Sequence, residues 1–262
     1  MNKIDTQIRK IKSSKSIGLM THVVVGYPNL RANEQLIQAL VLGGSDFVEL
    51  QIPFSDPLAD GPLIMQANEI ALKQHVNVKD VFKLLNNCKK KYDTPFLLMG
   101  YFNSLYSFGV KRFCEEAKKN GASGLIITDI PPEEEHQENF LYYCFKNDLY
   151  AIRVLSPAST SKRVKINLNY AKGFLYLVRG YGVTGSSIKM DKRLKTLASN
   201  LKKNSSLPLA LGFGIAKSKD IDDVRDFADI VVVGSAIIDI IMNQGKRINF
   251  RFIEKYLRSL HL

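Results

Sequence analysis

Eight short apolar runs, each followed by a segment of helical periodicity, constrain this chain more than any other feature. Strand-like pattern falls at 18–25, 47–52, 95–101, 125–130, 150–155, 174–179, 207–211 and 230–233. Helical pattern fills the intervals at 30–43, 63–73, 78–92, 110–120, 133–147, 161–170, 194–203 and 219–227, then resumes at 237–242 and 250–260. Strand then helix, repeated eight times, has one compact solution: a closed parallel sheet ringed by helices. Runs such as Ile126-Ile127 and Val231–Val233 are apolar at consecutive positions, as strands covered on both faces must be. The 262 residues contain no linker, low-complexity tract or second composition. The expectation is therefore one α/β domain over 1–262, a (β/α)8 TIM barrel. Ile4, Ile8 and Ile11 stand at helical spacing near the start, which predicts a short extra N-terminal helix packed on that barrel.

Charge and composition exclude several classes. The formal net charge is +12, but the lysines are dispersed along amphipathic segments with no interleaved aromatics, so nucleic acid is not an expected partner. A basic field does favour an anionic small molecule. No apolar run reaches the length of a membrane span, and no signal peptide is visible. Cys88, Cys114 and Cys144 are odd in number and lack metal-type spacing, so neither a disulfide framework nor a metal site is expected. A reduced, cytoplasmic location fits this usage.

The second strand carries the first sign of chemistry. Phe47, Glu49 and Gln51 fall on one face, and Val48, Leu50 and Ile52 on the other. A carboxylate in mid-strand is costly if buried without a partner. Glu49 stands either at a polar cavity or on an edge strand in water. Barrel active sites form at the carboxyl ends of the strands, and the unusual residues gather there. His22 ends the first strand and Asp60 follows the second. Tyr101 and Asn103 follow the third, and Asp129 closes the fourth. Tyr176 lies on the sixth, with Thr184 in the loop beyond it. Glycine-rich turns then follow strands six, seven and eight: Gly182-Val-Thr-Gly185, Gly212-Phe-Gly214 and Gly234-Ser235. Glycine lets backbone N–H groups approach an anion, and a helix start at Ser235 adds its dipole. The plainer reading is that these glycines only permit the turns, but three of them cluster at the usual barrel phosphate position.

The unbroken run Ile52-Pro-Phe-Ser-Asp-Pro-Leu-Ala-Asp-Gly-Pro62, with the three glycine elements in order, resembles the tryptophan synthase alpha subunit family over nearly the whole chain. Three positions depart from that family's pattern. Gln51 replaces its usual glycine, Met65 an often-found glutamine, and Arg179-Gly180-Tyr181 its Ser-Arg-x. His22 stands where members often place an apolar residue lining the indole pocket; a satisfied structural histidine is an equal reading. The resemblance implies retro-aldol cleavage of indole-3-glycerol phosphate to indole and glyceraldehyde 3-phosphate. Glu49 would be the general acid/base, and Asp60 would hydrogen-bond the ring nitrogen. Gly185, Gly214, Gly234 and Ser235 would bind the phosphate, and Thr184 would order its loop over Asp60. It also implies no cofactor on this chain, and a beta subunit carrying pyridoxal phosphate in an α2β2 heterotetramer. That partner would face residues 53–60 and 103–108. By strand parity Gln51 should enter the space beside Glu49, donate to its carboxylate and fill part of the pocket. That leaves a second reading open, a catalytically weak barrel acting mainly as an allosteric activator of the beta subunit.

Overall fold

The computed structural model describes residues 1–178, 192–212, 214–245 and 247–260. Its strands are β1 Gly18–Val24, β2 Phe47–Gln51, β3 Phe96–Gly100, β4 Ala122–Ile127, β5 Tyr150–Ala151, β6 Arg153–Leu155, β7 Leu175–Val178, β8 Leu209–Gly212 and β9 Ile230–Val233. They form one sheet in the order β5-β4-β3-β2-β1-β9-β8-β7-β6, and every pairing is parallel. The expected fifth strand is in two pieces because it changes partner at Ile152. Tyr150 and Ala151 pair with β4, whereas Arg153 to Leu155 pair with β7. Ile152 itself donates its N–H to the Leu125 carbonyl at 2.9 Å. The two ends of the sheet thus meet along one stretch of chain, and the predicted barrel is the observed architecture.

Alternation divides the apolar residues into two populations. Met20, Phe47, Leu97, Met99, Ile126, Ile152, Phe174, Ala210, Ile230 and Val232 fill the interior, with the Phe47 and Phe174 rings 5.6 Å apart. Their sequence neighbours, among them Leu19, Val48, Leu50, Leu98 and Val231, face outward under the helices. The predicted N-terminal helix, Lys3–Ser14, closes one end: Ile4, Ile8 and Ile11 join the interior cluster. Asn2 fixes its start, accepting from the Ile4 N–H at 3.0 Å while its own amide donates to the Ser123 carbonyl at 2.9 Å. The cavity lies at the other end, where the strands finish.

Several boundaries differ from expectation, and residues 102–108, expected as a loop, form a helix. β4 begins at Ala122 and not at 125, because Ala-Ser-Gly lacks the bulk by which strands are recognised. A side chain at Gly124 would meet the Tyr150 carbonyl oxygen at 2.7 Å, so the small residue permits the close approach of β5. The helix expected over 133–147 is divided into Glu135–Glu138 and Phe140–Lys146 by Asn139 in the left-handed region, φ 53°. Asparagine is one of the few side chains that tolerate that conformation.

Glu135 and the alternation of β6 create a buried polar contact outside the barrel wall. Arg153 points away from the interior and donates to Glu135 at 2.5 Å and to Asn167 at 2.8 Å, all three side chains being buried. Removing the arginine takes a buried charge partner from the carboxylate, which in comparable pairs costs about 3–5 kcal/mol. Arg153→Ala should therefore lower the unfolding free energy by about that amount in a denaturant titration. A loss well below 1 kcal/mol would mean that Glu135 is satisfied without it.

Candidate active site

The site grows from the register of β1 on β2. His22 is paired directly with Glu49, and Val24 with Gln51. Side chains at paired positions on one face lie side by side, so His22 and Glu49 are neighbours by construction. Both are almost wholly buried, at 3% and 1% exposure. The His22 imidazole Nδ1 is hydrogen-bonded to Glu49 Oε1. Glu49 Oε2 is buried with no hydrogen-bond partner among the described residues, as is the Thr128 hydroxyl. Both residues line one cavity, together with Asp60, Tyr176, Gly214, Gly234 and Ser235. An edge-strand glutamate in water is thereby excluded.

Gln51 does not behave as parity alone suggested. Its side chain is fully buried and does enter the barrel beside Glu49 and His22, but it donates to Asp60 Oδ2 at 2.6 Å and not to Glu49. Its carbonyl oxygen meets His22 Nε2 at 2.9 Å. Gln51 is also absent from the cavity wall. The expectation that it donates to Glu49 and crowds the pocket is overturned, because Asp60 and His22 together satisfy the amide.

Asp60 is held by the loop after β2. Phe54 donates its N–H to the Asn68 side chain at 3.1 Å, and Ala59 donates to the Tyr101 hydroxyl at 3.0 Å. The Phe54 and Tyr101 rings stack with centroids 4.9 Å apart. Gly61 then starts the helix Pro62–Lys73, with proline at its first position, where a missing N–H costs nothing. Tyr101 therefore holds the loop and does not line the cavity. Asp129 is exposed and accepts the Phe102 N–H at 2.6 Å, which fixes the turn into the helix Phe102–Phe108.

Electrostatics follow burial and these partners. Burial acts to lower the His22 pKa, but the charge and hydrogen bond of Glu49, then Asp60 and Gln51, outweigh it and hold the imidazole above its usual value. Burial raises the Asp60 carboxyl against the opposing pull of His22, Gln51 and Tyr101. Burial also pushes the Tyr176 phenol well above its usual value, with the Glu49 and Asp60 charges adding to it.

On the same cavity, Gly234 precedes the helix Ser235–Asn243, whose first N–H groups have no intrahelical acceptor. Gly214 has φ 67° with nothing within 4 Å of where a side chain would begin. Gly212 serves Tyr176, whose ring lies 3.0 Å from the position of a side chain there. Gly185 and Thr184, with the rest of 179–191, lie outside the described residues. Thr128 and Asn68 were missed in the sequence. Thr128 was legible from parity with Ile126, whereas Asn68 is a polar residue within a helix and carried no signal. Among the described residues, no group of three or more His, Cys, Asp or Glu is placed to hold a metal ion, and no helix is long and apolar enough to cross a membrane.

Fold and site together define a (β/α)8-barrel enzyme in which two carboxylates and a glycine-led helix start line one cavity. Comparison narrows this. The family model for the tryptophan synthase alpha chain matches residues 8–259. The chain is 40% identical over 253 residues to the tryptophan synthase alpha chain of Petrotoga mobilis, covering 95% of this chain and 96% of that one. It is 38% identical over 240 residues to that of Desulfotalea psychrophila, covering 92% and 94%. The crystal structure of tryptophan synthase subunit alpha from Legionella pneumophila superposes with a TM-score of 0.89 at 33% identity, over 100% of this chain and 97% of that one. The chain belongs to the tryptophan synthase alpha chain family, whose members are lyases of tryptophan biosynthesis.

Gly214 gives a direct test of anion binding. A methyl group at Gly214 costs about 1–2 kcal/mol for its left-handed backbone, and it projects into open cavity space. Gly214→Ala should lower affinity for glycerol 3-phosphate, measured calorimetrically, by roughly tenfold or more. Unchanged affinity would place the anion elsewhere.

Proposed function

We infer that this chain performs its family's reaction, cleaving indole-3-glycerol phosphate to indole and glyceraldehyde 3-phosphate. The observation that carries the reading is Glu49 Oε2: a buried carboxylate oxygen on the cavity wall with no protein partner among the described residues. Retro-aldol cleavage needs a proton placed on the ring carbon bearing the side chain, and then removal of a proton from the side-chain hydroxyl. One carboxyl group does both, giving a proton in the first step and taking one back in the second. Asp60, across the cavity, accepts the indole N–H and stabilises the positive charge that ring protonation creates. Tyr176 contributes an uncharged wall. Gly214, Gly234 and Ser235 receive the phosphate; the family resemblance adds Gly185 to that set and gives Thr184 the ordering of its loop over Asp60, both outside the described residues. Ring and phosphate are thereby fixed at two ends, and the bond to be broken lies between them.

A beta subunit is the partner in this reading, supplying pyridoxal phosphate on its own chain and taking up the indole. An α2β2 assembly, a cytoplasmic location and one barrel domain over 1–262 belong with it. Leu58 and Tyr106, 71% and 60% exposed, lie in the two segments expected to face that partner. The weak-activator reading depended on Gln51 filling the pocket. Since Gln51 does not line it, the catalytic reading stands ahead.

Glu49→Gln keeps the shape but cannot cycle a proton. It should reduce indole release by the isolated chain by roughly a hundredfold or more, with glycerol 3-phosphate affinity retained. Near-normal release by that variant would remove Glu49 from the mechanism.

A further inference from the structure

Glu49 and Asp60 are joined inside the protein by a continuous chain of hydrogen bonds. Glu49 Oε1 meets His22 Nδ1, His22 Nε2 meets Gln51 Oε1 at 2.9 Å, and Gln51 Nε2 donates to Asp60 Oδ2 at 2.6 Å. The order of donors is fixed from one end. An ionised carboxylate only accepts, so the Gln51 NH2 must face Asp60 and its carbonyl must face His22. The nitrogen facing that carbonyl must then carry a hydrogen. At the other end Nδ1 meets a second carboxylate, which accepts a hydrogen in turn when ionised. Both ring nitrogens are placed to donate, which is the hydrogen-bonding pattern of an imidazolium.

We propose that His22 and Gln51 form a charge-compensating positioning pair, in which His22 stays cationic while Glu49 cycles between carboxylic acid and carboxylate. The proposal rests on Glu49 being the acid/base. The proton that moves is the one on Glu49 Oε2, the oxygen facing the cavity. It passes to the ring carbon, leaving a carboxylate whose other oxygen already holds the His22 N–H. The ring gains the positive charge that Glu49 gives up. Glu49 then takes the hydroxyl proton as the carbon–carbon bond breaks, and its electrons return to the ring. His22 neither gains nor loses a proton. Its charge faces Asp60 through Gln51, so the buried set is never left with an unopposed cation.

Two features of the packing support this role. A side chain at Gly234 would begin 3.0 Å from His22 Cβ, so the glycine that opens the helix also makes room for the histidine. Among the described residues, the charges acting on His22 are Glu49 and Asp60. The nearby phenols, Tyr101 against Asp60 and Tyr176 from β7, are held neutral because burial first, and these carboxylates after it, raise their pKa values well above the usual. His22 lost as a cation removes the compensation, so activity should fall as pH rises through its midpoint, which, against the lowering effect of burial, Glu49 and Asp60 hold above the usual imidazole value.

The test uses 15N NMR of the full chain, with His22→Phe identifying the His22 signals among the four histidines. Both ring nitrogens should be protonated at pH 7, and the midpoint should fall by about one unit or more in Asp60→Asn and in Gln51→Gly. In kinetics, His22→Phe should lower kcat roughly tenfold or more with KM little changed, and should abolish the alkaline limb set by His22. The double variant His22→Phe/Gln51→Gly should be no worse than His22→Phe alone, since the two act as a unit. A neutral imidazole at pH 7, a midpoint unmoved by both substitutions, or an unchanged alkaline limb in His22→Phe would overturn the proposal. The spectroscopic result stands whether or not Glu49 is the catalyst; that reading fails separately, on Glu49→Gln.

Discussion

A carboxylate inside a barrel has to be met by another group, and Glu49 is met by His22. An isolated charge at that depth would cost more free energy than the fold holds in reserve. The two side chains face one another because β1 and β2 pair with His22 opposite Glu49. A slip of either strand by one residue would send its member of the pair outward into the apolar layer under the helices and leave the other unmatched. The register that assembles the barrel and the contact that makes the site tolerable are therefore the same constraint. The partner set extends further, through Gln51 to Asp60, so a loop residue is tied to the strand pair that carries the chemistry.

The remainder of the interior decides where that polar layer can sit. One end is filled by Phe47, Phe174 and their neighbours and closed by Ile4, Ile8 and Ile11 of the N-terminal helix. Water and substrate are kept from that end by packing alone. The polar residues occupy the opposite end, where strands give way to loops whose backbone N–H groups are not used in the sheet. Glu49 on β2 and Asp60 in the loop after it line the cavity there together with Gly214 and the helix start at Gly234–Ser235.

Loop placement depends on a different set of contacts. Asp60 reaches the cavity because Asn68 and Tyr101 hold the backbone of residues 54 and 59. Neither residue lines the cavity. They pre-position a carboxylate whose usefulness depends on small displacements, which is why polar residues outside the wall contribute to the site.

The sequence by itself determined the barrel, since eight alternations of strand and helix pattern have one compact solution. It also placed the N-terminal helix, and parity put Glu49 and Gln51 on one face. The loop 52–62 and the turns at Gly214 and Gly234 were placed at strand ends, and residues of all three line one cavity. Periodicity is local, so these features were legible. Tertiary structure alone decided who touches whom. Gln51 donates to Asp60 because a loop residue nine positions on folds back over the strand end, a distance that no period encodes. His22 became Glu49's partner through a register between strands 27 residues apart. β4 started early, and the fifth strand split, because small residues and a change of partner depend on neighbours that lie close only once the sheet has closed.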